Sequence, residues 1–84
     1  MDNFNLQING IINMPNLSAS EKLVMVHMHT LKSLGIDASH VEISSKQLSY
    51  TRTGYHKILK RLIVMGYVQQ VKRGYYKLNE TNVF

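Results

Sequence analysis

Cysteine is absent from the 84 residues. That excludes disulfides, thiolate zinc sites and the small disulfide-stapled scaffolds common among secreted domains. Long apolar runs are missing as well. The longest are four-residue pieces, Leu23 to Val26 and Leu62 to Met65, whereas a helix that spans a bilayer needs about 20 apolar residues. No positive cluster followed by an apolar run opens the chain, so no secretory leader is expected. The chain reads as soluble and cytoplasmic, with no membrane partner. At this length one domain buries roughly 60% of the surface its unfolded form exposes, which leaves no room for a substrate cavity walled by two lobes.

The chemistry of catalysis is equally thin. No glycine-rich phosphate cradle, paired-acid motif or nucleophile–base signature is present. The five carboxylates are mostly isolated, too few for two-metal hydrolysis. His27-Met28-His29 invites a metal reading, but positions i and i+2 of a helix lie about 200° apart and cannot share a ligand. His40 and His56 have no carboxylate neighbour in sequence. The methionines read as core filler. The expectation is a non-enzyme with neither cofactor nor metal.

What is present is positive charge, unevenly placed. The formal net charge is +5. Residues 1–43 carry Lys22 and Lys32 against Asp2, Glu21, Asp37 and Glu42, a net of −2. Residues 44–84 carry eight cations against Glu80 alone, a net of +7, and no carboxylate stands between Glu42 and Glu80. Ordinary surfaces intersperse both signs, so the second half is suited to an anionic partner, the alternative being a solvated basic end. All five tyrosines fall in that half, and basic groups interleaved with aromatic ones favour nucleic acid over a membrane surface.

Residues 1–16 form a polar, asparagine-rich arm in which Phe4, Leu6 and Ile8 alternate with Asn5 and Gln7. It reads as a short strand or as an arm that docks on a partner. Ser18 and Glu21 make a capping box that opens a first helix. This helix runs to about Ser33, with Leu23, Val24, Val26, His27, Met28, Leu31 and Leu34 on a wide apolar face, and Gly35 stops it. Val41-Glu42-Ile43 alternates and predicts a short strand. Ser44 with Gln47 repeats the capping-box spacing and predicts a second helix through about Tyr50. After a break near Thr51 to Thr53, a third helix runs to Met65 on the stripe Tyr55, Ile58, Leu59, Leu62 and Met65, and Gly66 ends it. Tyr67 to Leu78 predicts a hairpin with Lys72-Arg73-Gly74 at its tip and either a bulge between Val68 and Val71 or loss of register at the tip. Of Tyr75 and Tyr76, on opposite faces of one strand, one packs and the other is exposed. The tail is residues 80–84.

Helix, strand, helix, helix and hairpin, with a positive third helix and hairpin tip, resemble the winged helix-turn-helix family over residues 17–79. The likeness rests on L-S-A-S-E-K-L-V-M, I-S-S-K-Q-L, H-K-I-L-K-R-L-I-V-M-G-Y-V and R-G-Y-Y-K-L-N. The first of these looks most like the DNA-binding domains of phage and plasmid replication initiators and small mobile-element regulators. Two features depart from the family pattern. Leu48 to Leu62 is about one helical turn short, and no glycine-containing turn precedes Thr51. Either the second helix is only a turn and a half long, or the third begins late, at Gly54 with Thr53 as its cap.

The resemblance implies an α+β fold of three helices, a short strand and a β-hairpin wing that binds double-stranded DNA, with the third helix (about 52–65) in the major groove. Arg52, Thr53, His56 and Lys57 would face bases. Lys60, Arg61, Lys46 and the N–H groups at the start of the second helix would hold phosphates, and Lys72 and Arg73 are the wing-tip cations. Thr51 and Tyr75 complete the candidate interface. Gly54 either permits close approach to DNA or is a first-turn residue. A module this small is expected to act as a homodimer, in transcription regulation or in phage or plasmid replication or partition. The alternative is a winged helix that grips a protein partner, such as a phage-encoded inhibitor of a host factor.

Overall fold

The computed structural model describes residues 3–79; the tail expected at 80–84 lies outside them. The clearest local signal in the sequence forms as expected. Ahead of helix α2 (Ala19–Ser33), the Ser18 hydroxyl accepts from the Glu21 N–H at 3.2 Å and the Glu21 carboxylate accepts from the Ser18 N–H at 2.8 Å. This reciprocal pair satisfies two donors that the first helical turn leaves open. The apolar face of α2 is narrower than expected, because Leu23 and Leu34 point to solvent while Val24, Met25 and Met28 are buried.

The strand or docking arm expected at the N-terminus is instead a helix, α1 (Asn3–Ile12). Ile11 is fully buried and Ile8, one turn earlier, is half-buried, as a helix packed against α2 requires. Asparagine is an indifferent helix former, so tertiary packing and not propensity decides this segment.

The second helix also begins earlier than its sequence suggests. Strand β1 is only Ser39–His40, and Val41–Gln47 is helix α3. The expected strand at Val41 to Ile43 does not form: alternation would bury Ile43 with Val41, yet Ile43 is 58% exposed. The buried set is Val41, Ser44 and Ser45, continued by half-buried Leu48, which is helical spacing with two serines on the inner face. Ser44 and Ser45 are therefore interior residues and no capping box forms with Gln47. Ser45 donates to the Glu42 carbonyl at 3.0 Å, and Gln47 Oε1 lies 3.0 Å from His27 Nε2 on α2.

Helix α4 (Arg52–Val64) is capped by Thr51, not Thr53: its hydroxyl accepts from the Gly54 N–H at 3.0 Å. A side chain at Gly54 would place its Cβ 3.0 Å from that same oxygen, so glycine here leaves room for the cap. Tyr55, Leu59 and Leu62 are buried and Ile58 and Met65 pack beside them, the stripe expected from the sequence.

Helices α2, α3 and α4 end alike, in a left-handed residue whose own N–H and the one after it reach back to the last turn. Gly35 (φ +89°) and Gly66 (φ +86°) do this for α2 and α4. For α3 the residue is Ser49 at φ +61°, with its N–H on the Lys46 carbonyl at 3.1 Å and the Tyr50 N–H on the Ser45 carbonyl at 2.8 Å. The missing glycine turn is thus built with serine. Left-handed backbone costs a residue with a Cβ about 1–2 kcal/mol, and glycine loses more chain entropy on folding. Ser49→Gly is expected to gain roughly 0.5–1 kcal/mol and to raise Tm by a few degrees; a thermal melt checks it, and a lower Tm would contradict the assignment.

Strands β2 (Val68–Lys72) and β3 (Tyr75–Leu78) form the hairpin, and β1 joins the other edge of β3, giving an antiparallel sheet in the order β1-β3-β2. The register shifts between Gln70 and Lys72, close to the tip, an irregularity of the kind expected there. Lys72 belongs to β2, so the turn itself is only Arg73-Gly74, with Gly74 at φ +83°. Tyr76 faces the core and Tyr75 is half-buried on the opposite face. The result is a small α+β protein of four helices and one three-stranded sheet in its described residues.

His29, on the inner side of α2, is held below the ordinary histidine pKa by burial and then by the nearby Lys32 charge. Below about pH 6.5 the unfolded chain binds a proton that the folded chain resists, so stability is full above that pH. It falls as pH drops, until the lowered folded pKa is reached. Tm is expected to decline as pH falls below about 6.5, and His29→Gln should flatten that decline; equal declines in both proteins would contradict it.

Candidate nucleic-acid interface

At 100° per residue, Thr53, Lys57, Lys60 and Val64 fall within about 60° of arc, opposite the Tyr55–Leu59–Leu62 stripe. All four are exposed. Burying the tyrosine and leucines against α2, α3 and the sheet therefore turns this ridge outward, and it is a ridge without a carboxylate. Arg52, in the first turn, is exposed as well. No Asp or Glu occurs from residue 43 to 79, and Glu42 lies 4.0 Å from Lys46, so nothing on α4 itself offsets these cations.

The flanks of α4 are occupied differently. His56 is half-buried, its ring 6.4 Å from the Tyr76 ring at 80°, and leans on the sheet. Arg61, on the other flank, pairs through Nε with Glu21 Oε2. Glu21 is only 4% exposed, so one carboxylate both caps α2 and holds α4. Arg61 is thus a structural cation as well as a surface one. Nothing adjacent in sequence signals this pair, since the partners are 40 residues apart.

Three other expected positions have different surroundings. The Thr51 hydroxyl is the α4 cap. Lys46 lies in the last turn of α3, not at its start. The N–H of Val41, at the start of α3, donates to the Gly74 carbonyl at 2.8 Å and faces the hairpin turn. It is closed to a phosphate.

The hairpin end is braced. Lys72 Nζ lies 4.7 Å from the centroid of the Tyr75 ring, whose edge meets His40 at 4.9 Å and 71°. A Cβ at Gly74 would come within 3.4 Å of His40 Nε2. Tyr75 is therefore a support for Lys72 more than an open stacking surface. Arg73 is exposed at the turn. Beneath α4, burial pushes the Tyr55 phenol above its usual pKa range, and the Ser44 and Ser39 hydroxyls beside it offset part of that shift. The phenol stays protonated and neutral in the core.

Of the candidate residues, the structure presents Arg52, Thr53, Lys57, Lys60, Lys72 and Arg73 to solvent as cations or hydrogen-bond donors. It engages Thr51, His56, Arg61 and Tyr75 in internal contacts. Among the described residues no group of three His, Asp or Glu side chains comes together to hold a metal, and no helix is long and apolar enough to cross a membrane. Comparison with known proteins returned no match to a family model, a curated protein or a solved structure.

Proposed function

We propose that this protein binds double-stranded DNA as a winged helix, with α4 in the major groove and the β2–β3 hairpin on the flanking backbone. The observation that carries the reading is the outward ridge of α4, where Thr53, Lys57 and Lys60 stand together in a stretch, residues 43–79, that has no Asp or Glu. A major groove about 12 Å wide admits a helix, and the residues near the helix start reach base edges. Arg52 and Thr53 take that position. Lys57 and Lys60 follow along the same ridge as phosphate contacts, and Lys72 and Arg73 add the hairpin's charge. His56 acts through packing on Tyr76.

One such module buries limited DNA surface, so the functional unit is a homodimer on paired half-sites. Exposed Ile12 and Leu23 on the α1–α2 side are apolar groups suited to that contact. The biological setting that fits is regulation, or replication or partition of a phage or plasmid. One observation favours a protein partner instead: Val64, 87% exposed, extends the α4 ridge, with Ile63 also partly exposed beside it.

Selection of bound sequences from random duplexes decides between the two, with a sharp motif expected. Neutralisation of about five phosphates per protomer should give log affinity a slope near −4 to −5 against log salt. Titration at several salt concentrations measures it, and a slope near zero would remove DNA as the partner.

A further inference from the structure

From Leu48 to Val68 the chain holds no Asp, Glu, Asn or Gln. Helix α4 lies inside that stretch. Of the polar side chains it exposes, Arg52, Lys57, Lys60 and Arg61 can only donate hydrogen bonds, and Thr53 alone can also accept them. The first-turn N–H groups of a helix are donors as well. The other acceptors nearby are engaged: the Thr51 hydroxyl holds the Gly54 N–H at 3.0 Å, and the half-buried His56 ring leans on Tyr76. Among the described residues no carboxylate pairs with Arg52. Its guanidinium is exposed and open to a partner.

Base edges in a major groove are unequal toward a surface that only donates. Guanine presents two adjacent acceptors, N7 and O6, and thymine presents O4 beside a methyl group, whereas adenine and cytosine each present an amino donor. An amino group covered by donors loses its water and gains no partner. We infer that the half-site is centred on a guanine held by Arg52, an assignment that rests on the duplex-binding reading above. The planar guanidinium carries two N–H groups in a fixed fork that matches O6 and N7 together. Thr53, one residue on, offers a methyl and a hydroxyl to the methyl and O4 of a thymine, so the neighbouring position takes thymine over cytosine. What α4 lacks contributes as much as Arg52 does. Without asparagine or glutamine, no side chain of the helix can bind N6 and N7 of an adenine together.

The test starts from the duplex that the whole chain selects out of random sequence and replaces its fixed guanine by two analogues. 7-Deazaguanine loses the N7 acceptor and keeps its pairing with cytosine. Hypoxanthine keeps N7 and O6 and loses only the amino group that faces the minor groove. The first should weaken binding by about five- to tenfold, the loss of one charge-assisted contact, and the second should leave it nearly unchanged. Arg52 is exposed, so Arg52→Ala folds normally, and it should bind the guanine and 7-deazaguanine duplexes equally. Three results overturn the assignment while duplex binding itself stands: a selection that fixes no guanine, equal affinity of the parent protein for the guanine and 7-deazaguanine duplexes, or an undiminished preference between those two in Arg52→Ala. Absence of saturable binding to any duplex overturns the assignment and the duplex reading together.

Discussion

Replacing Lys57 and Lys60 together by alanine is expected to lower duplex affinity by roughly 100-fold at about 0.1 M salt and to leave Tm almost unchanged. Both side chains are exposed on the outward ridge of α4, where surface substitutions move stability by about 0.5 kcal/mol at most. Their removal also relieves repulsion between cations one turn apart. The loss should be shared by cognate and scrambled duplexes, and the salt slope should become shallower by about 2, the signature of two lost phosphate contacts. Arg52→Ala and Thr53→Ala should instead relax base preference at one or two positions, costing about 1–3 kcal/mol on the cognate site if a paired base contact is lost. Binding titrations on both duplexes, paired with thermal melts, separate the two classes. Full affinity in the double lysine variant would exclude the α4 ridge as the contact.

How legible this ridge and its scaffold are in the sequence depends on how local the deciding interactions are. The Ser18–Glu21 capping box, the Gly35 and Gly66 stops, the α4 stripe and the hairpin irregularity are each set within a few residues, and each forms where its pattern stands. Helix α3 is different. Its inner face carries Ser44 and Ser45, small polar groups that give no hydrophobic period although they are 1% and 3% exposed. Strand β1 has no strand-like composition at all, and Ser39-His40 becomes a strand only because β3, 35 residues later, pairs with it. In α1, alternation of Phe4, Leu6 and Ile8 with polar residues imitates a strand, and burial of Ile11 on α2 overrides it. The site follows the same division. The outward position of Lys57 and Lys60 follows from helical periodicity alone, whereas the anchoring of Arg61 and the lean of His56 on Tyr76 are tertiary.

The Glu21–Arg61 pair gives the largest stability effect expected. Arg61→Ala leaves a buried carboxylate with the Ser18 N–H as its one remaining partner. Stranding a buried charge costs about 3–5 kcal/mol where both partners are dry. Arg61 is 62% exposed, so solvent screens the pair and about 2 kcal/mol is the fitting magnitude. That corresponds to a Tm lower by roughly 8–16 °C for a domain of this size. Glu21→Gln should cost less, about 1 kcal/mol, because glutamine still completes the capping box and the freed guanidinium turns to water. The double variant should be less destabilised than the two single effects added, since the stranded charge is gone. The same cycle reaches the proposed interface. In Glu21→Gln, Arg61 is released on the flank of α4 with its charge uncompensated, so duplex affinity should rise and the salt slope steepen by up to about 1. Arg61→Ala should bind duplexes no more tightly than the parent protein. Thermal melts and salt titrations of the four proteins measure both halves. Additive losses would mean that the two side chains do not interact in solution, and an unchanged slope in Glu21→Gln would place Arg61 beyond reach of the DNA backbone.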